Sequence, residues 1–184
     1  MTREEALAEV KQRVENRNLF KHMLAVEAIM RELATRFGED PERWGLAGLV
    51  HDIDYDQTLN APDQHALVGA EILEQLGVDP EIVYAVKAHN GDRLGVPRQR
   101  RLDKALYAAD PLSGLIVAAA LIHPDKKLAS IDADFVLNRF GEKGFARGAN
   151  RQQIATCHEL GLELREFIAL GLSGMQKISA ELEL

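Results

Sequence analysis

The chain has a single cysteine, Cys157, among its 184 residues. No intramolecular disulfide and no cysteine-based zinc site can therefore form. Aromatic residues make up only 5% of the chain, and the one tryptophan, Trp44, reads as a core residue rather than a platform for stacking bases. The longest strictly apolar run, Leu115 to Ile122, falls far short of the roughly 20 residues needed to span a bilayer. The opening Met1-Thr2-Arg3-Glu4-Glu5 is charged and lacks the apolar stretch of a signal peptide. A cytoplasmic location with no membrane partner is the expectation. Basic residues are in deficit, giving a net charge of −7. That argues against a nucleic-acid polymer as partner, because such binding is dominated by Lys and Arg neutralising phosphates. A nucleotide substrate stays open, since a metal supplies positive charge locally. Strand-like alternation, internal repeats, low-complexity tracts and a serine or cysteine nucleophile motif are also missing.

What is present reads as helix almost throughout. Thr2-Arg3-Glu4-Glu5 has the form of a capped helix start. From about Asn18 to Phe37, Met23, Val26, Ile29, Met30 and Leu33 recur at three- and four-residue steps, and Gly38 ends the run. Asp40-Pro41 and Asp79-Pro80 each open a helix with proline at its first position. Further helices are expected at Asp63–Leu76, Asp79–Ala88, Leu102–Ile122, Asp132–Arg139, Asn150–Ala169 and Ser173–Leu182. Residues 54–62 and 91–101 read as loops, with Arg98, Arg100 and Arg101 solvated. Pro111 deletes a backbone hydrogen bond and should interrupt and kink the long helix that contains it. The fold expected is a single all-α helical bundle domain spanning residues 1–184, with a core at about 16–122 and helices at about 130–184 packed on it.

The doublet His51-Asp52 follows the apolar stretch Leu46-Ala47-Gly48-Leu49-Val50. Aspartate is almost never fully buried unless something pairs with it, and an unpaired charge in an apolar setting costs several kcal/mol. A divalent cation removes that cost, and both residue types bind metals. Two residues cannot close a site, so partners must come from elsewhere. His22 lies beside the apolar stripe of the second helix, His65 follows the polar loop, His89 ends a helix, and Asp110 sits in the apolar Tyr107-Ala108-Ala109-Asp110-Pro111. A helical bundle can aim such side chains at one point.

In this order the residues resemble the HD-domain superfamily of metal-dependent phosphohydrolases. Its signature is a His, a His-Asp doublet and a distant Asp on helices of an all-α core, here His22, His51-Asp52 and Asp110. The subgroup with a His-Asp-Ile-Gly motif adds two histidines between the doublet and the last Asp, and His65 and His89 occupy those places. The resemblance covers about residues 16–122. It implies that His22, His51, Asp52 and Asp110 bind one metal, and that Asp52, at the centre of the chemistry, bridges to a second held by His65 and His89. One or two divalent transition metals (Fe, Mn, Zn or Co) suit such ligands. The implied reaction is cleavage of a phosphate ester of a small molecule, a nucleotide above all, by a metal-activated water.

Two departures stand out. The doublet continues Ile53-Asp54-Tyr55 rather than Ile-Gly-Lys, and His89-Asn90 stands where many dinucleotide-cleaving relatives have His-His. A third metal and cyclic-dinucleotide cleavage are not expected. Candidates for contacting the phosphate are Arg17, Lys21, Asn90, Lys127 and Arg147, with Lys126 and Arg151 beside them and Asp56 as a possible acid or base. The same ligand set also resembles the di-iron oxygenases of the superfamily, and a non-catalytic sensor or interaction module of the same fold is a further alternative. A homodimer is a base-rate expectation only.

Overall fold

The computed structural model describes residues 1–184, and all of its regular structure is helical. Helix α1 (Arg3–Arg13) begins in a capping box: the Thr2 hydroxyl accepts from the Glu5 N–H, and the Glu5 carboxylate accepts from the Thr2 N–H. Helix α2 (Arg17–Phe37) is capped by the Asn16 side chain and ends at Gly38, whose φ of +68° needs a residue without a Cβ. Helices α3 (Pro41–Val50) and α6 (Pro80–His89) start as the Asp-Pro pairs dictate, with Asp40 and Asp79 accepting from the Glu42 and Glu81 amides. The short α4 (Tyr55–Thr58) and α7 (Gly91–Leu94) fall inside the two stretches expected to be loops. The remainder are α5 (Leu67–Gln75), α8 (Arg101–Ile122), α9 (Ala133–Gly141), α10 (Arg151–Ala155), α11 (Leu164–Lys177) and α12 (Ser179–Leu182).

Helices α2 and α8 form the centre. Helix α2 packs against α3, α8 and α11, while α8 also touches α6, α9 and α10. By length and composition α8 is apolar enough to cross a bilayer, but here Leu106, Leu112, Leu115 and Ile116 are wholly buried among the other helices. Two glycines allow backbone-level approach to α2. A Cβ on Gly48 of α3 would lie 2.8 Å from the Glu27 backbone, and one on Gly174 of α11 would lie 2.5 Å from the Ala28 carbonyl oxygen. Helix α2 is therefore held closely by both neighbours. A buried Glu27 adds an ionic tie, receiving a two-pronged Arg3 and the Arg31 Nε at 3.0 Å.

Three expectations require correction. The helix after the polar loop starts at Leu67 rather than Asp63, because Ala66 adopts a left-handed φ of +70°. That costly conformation is fixed by the Asp54 carboxylate, which accepts from the Ala66 and Gly69 amides at 2.8 and 2.9 Å. The expected helix Asn150–Ala169 is instead α10, a 3-10 turn at Thr156–Leu160 and a reversal at Gly161 (φ +75°). Helix α11 then runs unbroken through residues 169–173, and Gly171 serves as a contact point with the Leu112 side chain rather than as a stop.

The third correction concerns Pro111, which does not interrupt α8. A proline at 111 leaves the Tyr107 carbonyl without its helical donor. The Gln153 side-chain amide takes that role, donating to the Tyr107 oxygen at 2.7 Å. A residue of α10 thereby completes a hydrogen-bond ladder of α8.

Replacing Gly48 by alanine should cost about 1–3 kcal/mol in urea unfolding, because the α2–α3 contact must open. Gly114 of α8 has open space around it. Its alanine variant should gain up to about 1 kcal/mol in the same assay.

Candidate metal centre

Five elements deliver six side chains to one place. His22 comes from α2, His51 and Asp52 from the end of α3, and His65 from the turn before α5. His89 is the last residue of α6, and Asp110 lies midway along α8. They converge in overlapping groups able to hold a metal: His22, His51 and Asp52; His51, His89 and Asp110; and Asp52, His65 and His89. Asp52 is 6% exposed, and its carboxylate divides the set. Its Oδ2 lies 3.4 Å from His51 Nε2 and 3.6 Å from His22 Nε2, while Asp110 Oδ1 is 3.3 Å from His22 Nε2. Its Oδ1 lies 3.4 Å from both His65 Nε2 and His89 Nε2.

All four rings are anchored through the nitrogen that faces away. His51 Nδ1 donates to the Gly48 carbonyl at 2.8 Å and His89 Nδ1 to the Val86 carbonyl, each one turn back on its own helix. His65 Nδ1 donates to Asp54 Oδ1 at 3.0 Å. His22 Nδ1 donates to Ser113 Oγ at 2.9 Å, and that hydroxyl in turn donates to the Asp110 carbonyl. Anchoring of this kind selects the tautomer and presents the Nε2 lone pair inward, as ligating histidines require. The Nε2 atoms of His22 and His51 face each other at 3.2 Å, as do those of His65 and His89.

Two lone pairs at that distance repel unless a proton or a metal ion lies between them. Neighbouring nitrogens bound at about 2.1 Å to one metal are separated by roughly 3.0–3.4 Å, so the donor set fits a divalent transition ion in type and in spacing.

The charges are arranged accordingly. Burial takes the His51 imidazole down to about 4. Burial pulls His22 and His89 the same way, but the carboxylate of Asp110 beside His22 and of Asp52 beside His89 outweighs it, and both end above the usual histidine value. Burial likewise pushes the two aspartates up. The surrounding imidazoles, His51 chief among them for Asp52 and His22 for Asp110, hold both below the usual carboxylate range.

The site opens into a cleft of about 430 Å³, lined by Leu19, Tyr55, Asn90 and Gln153 besides the convergent residues other than the fully buried His51. Of the residues expected to contact phosphate, Asn90 alone borders it, and its side-chain amide is engaged by the carbonyls of His65 and Pro62. Arg17 and Lys21 both pair with Glu183. Lys127 and Arg147 are exposed and do not line the cleft. The Arg151 guanidinium donates to the carbonyls of Phe140, Phe145, Ala146 and Ala149, and so clasps the loop before α10. Asp56 accepts from the Glu15 and Asn16 amides and pins α4 to the α1–α2 turn.

Arg98 is not a solvated residue. It lies 3.7 Å above the Tyr107 ring and pairs with Asp92, which also accepts from the Tyr107 hydroxyl. Burial, then Asp92, pushes that phenol up to about 12. Asp54, Ser113 and Gln153 are the supporting residues that sequence reasoning did not single out. Only for Asp54 was a signal available, as a second acid in the apolar doublet segment.

A family model described as HD domain matches residues 19–120. Ribonuclease Y of Desulfotalea psychrophila (strain LSv54 / DSM 12343) is 32% identical over 139 residues, covering 73% of this chain and 26% of that protein. Ribonuclease Y of Nitratidesulfovibrio vulgaris (strain DP4) is 33% identical over 99 residues, covering 54% of this chain and 18% of that protein. The chain thus spans less than a third of the length of the curated relatives it matches. Among solved structures, the HD domain of L. monocytogenes phosphodiesterase PgpH, in complex with cyclic-di-AMP, superposes with a TM-score of 0.54 at 13% identity. The match covers 95% of this chain and 96% of that one.

Two measurements follow from the anchoring. Asp54→Asn should weaken metal binding at the His65–His89 half by about 10–100-fold in a metal titration, leaving the His22–His51–Asp110 half near its original affinity. Metal and protons compete for His22 and His89, whose affinity for protons is raised. Apparent metal affinity should therefore fall from about pH 8 to about pH 6, with proton release visible in calorimetry as a buffer-dependent heat.

Proposed function

Because the chain belongs to the HD-domain family, a family of metal-dependent phosphohydrolases, we propose that it hydrolyses a phosphate ester of a small molecule, with a nucleotide as the favoured class. The observation that carries this reading is the division of Asp52 between two sets of imidazole nitrogens, one through each carboxylate oxygen. His22, His51, Asp52 and Asp110 would hold one divalent ion, and Asp52, His65 and His89 would hold a second. The donors are nitrogen and carboxylate oxygen without thiolate, which suits Fe, Mn, Zn or Co. When bound, such ions polarise a phosphoryl group and make a water nucleophilic near neutral pH.

The chain's own residues do the rest. Asp52 stays ionised and joins the two halves. Ser113 and Asp54 keep His22 and His65 from turning. Tyr55, 40% exposed, stands edge-on to His65 with ring centroids 5.2 Å apart and borders the entrance to the cleft.

The relatives' names point to RNA, and the structural neighbour holds a cyclic dinucleotide. A nucleotide phosphate ester is the chemistry common to both. A small ester is favoured over a polymer because no Lys or Arg lines the cleft and the chain is acidic overall. A cation track for a strand's phosphates would require the opposite.

The test is a hydrolysis panel on the metal-loaded protein: nucleoside monophosphates, a sugar phosphate, a cyclic dinucleotide and a short RNA. Turnover is expected on a nucleotide, at least about tenfold faster than on RNA by kcat/KM. Asp52→Asn should lower kcat by about a thousandfold or more, the size expected for losing several kcal/mol of electrostatic stabilisation. Undiminished turnover in that variant, or oxygen uptake with iron and no phosphate release, would refute the proposal.

A further inference from the structure

Gln153 lies outside the region that matches the family, on a helix that follows all six convergent residues in the chain. It is nevertheless part of the cleft wall, alongside His22, Asp52 and Asp110. Its orientation follows from three local facts. Asn150 caps α10 by accepting from the Gln153 backbone amide at 3.1 Å, which sets the first turn of the helix. Pro111 leaves the Tyr107 carbonyl in need of a donor. The Gln153 Nε2 supplies it at 2.7 Å. An amide facing a carbonyl must present its NH2, so which end is nitrogen is decided by chemistry. The other end, Oε1, has no partner and is not sealed from solvent.

We infer that Gln153 is a substrate-recognition residue: its Oε1 accepts a hydrogen bond from a donor group of the substrate, a sugar hydroxyl or a base amine, near the phosphate being cleaved. This rests on the proposed phosphohydrolase reading and deepens it. Elsewhere on the cleft wall, Leu19 has no polar group, Tyr55 carries a hydroxyl at the entrance, and Asn90, whose amide nitrogen is engaged by backbone carbonyls, stands on the His65–His89 side. The metal-facing side chains are committed to one another and to their anchors. On the Asp110 side of the cleft, Gln153 offers a neutral acceptor held at fixed orientation by the hydrogen bond its own Nε2 makes to Tyr107. That rigidity favours selectivity, because an acceptor that is already oriented loses little freedom when a ligand arrives.

Gln153 has a structural role as well, so the test must separate the two. Binding is read by calorimetry on metal-loaded protein, which needs no turnover. The probes are adenosine monophosphate, its analogue lacking both ribose hydroxyls, and inosine monophosphate, which lacks the base amine. Wild type should bind adenosine monophosphate about tenfold more tightly than one of the two analogues, the effect of one hydrogen bond. The analogue that loses affinity identifies the donor as hydroxyl or amine. Gln153→Met should abolish that discrimination while metal content stays unchanged.

Pro111→Ala restores a backbone donor to Tyr107. Adding it to Gln153→Met should recover thermal stability but not discrimination. The inference is overturned if wild type binds all three probes alike, if Gln153→Met still discriminates, or if the double variant regains selectivity. Loss of affinity that merely tracks loss of metal would overturn it too. Discrimination without any turnover would instead count against the hydrolase reading and leave Gln153 as a recognition residue.

Discussion

The structure depends on one electrostatic problem: the Asp52 carboxylate is nearly sealed from water, and no backbone or side-chain N–H other than the imidazoles approaches it. A bare carboxylate in such surroundings is too costly to keep. Four rings from four segments converge on it, and each is locked from behind by an acceptor. The locks are ordinary pieces of helix and turn. Two are carbonyls one turn earlier, one is a serine on the facing helix, and one is a second buried aspartate. Relieving the charge of Asp52 thus recruits groups from α2, α3, α6, α8 and the turn before α5, and the arrangement of those helices is also the fold.

Much of this was legible in the sequence, for identifiable reasons. Helix starts at Thr2, Asp40 and Asp79 depend on contacts within three residues, so local reading places them correctly. The six convergent residues were readable because His and Asp in apolar settings have few purely structural explanations and because their order resembles a known family. The anchors were not readable. Ser113 and Gln153 are common polar residues whose roles exist only through partners 91 and 46 positions away. Pro111 was misread for the same reason, since the donor that compensates it comes from another helix.

The cationic candidates show a different limit. A lysine or arginine near a phosphate-binding motif looks available in sequence, yet folding assigns half of the candidates to acids or carbonyls and leaves the others away from the cleft. Glu183 occupies Arg17 and Lys21 and loop carbonyls occupy Arg151, while Lys126, Lys127 and Arg147 are exposed outside the cleft. With more acids than bases in the chain, few cations are left over. Positive charge at the cleft then has to come from bound metal, which leaves selectivity to neutral groups such as amides and to the shape of the walls.

The close seating of α2 between α3 and α11 also sets an order in time. During synthesis α3 emerges soon after α2, but the residues that cover its other flank, 164–177, appear only after more than a hundred further residues have been added. Until then the helix bearing His22 has one apolar side without cover, and the glycine that must meet the Ala28 carbonyl does not yet exist. Gln153, on which the α8 ladder relies beside Asp110, arrives late as well. The ligand geometry is therefore completed only once α10 and α11 have been made, well after the last of the six convergent residues, so a partly made domain is poorly suited to capturing metal.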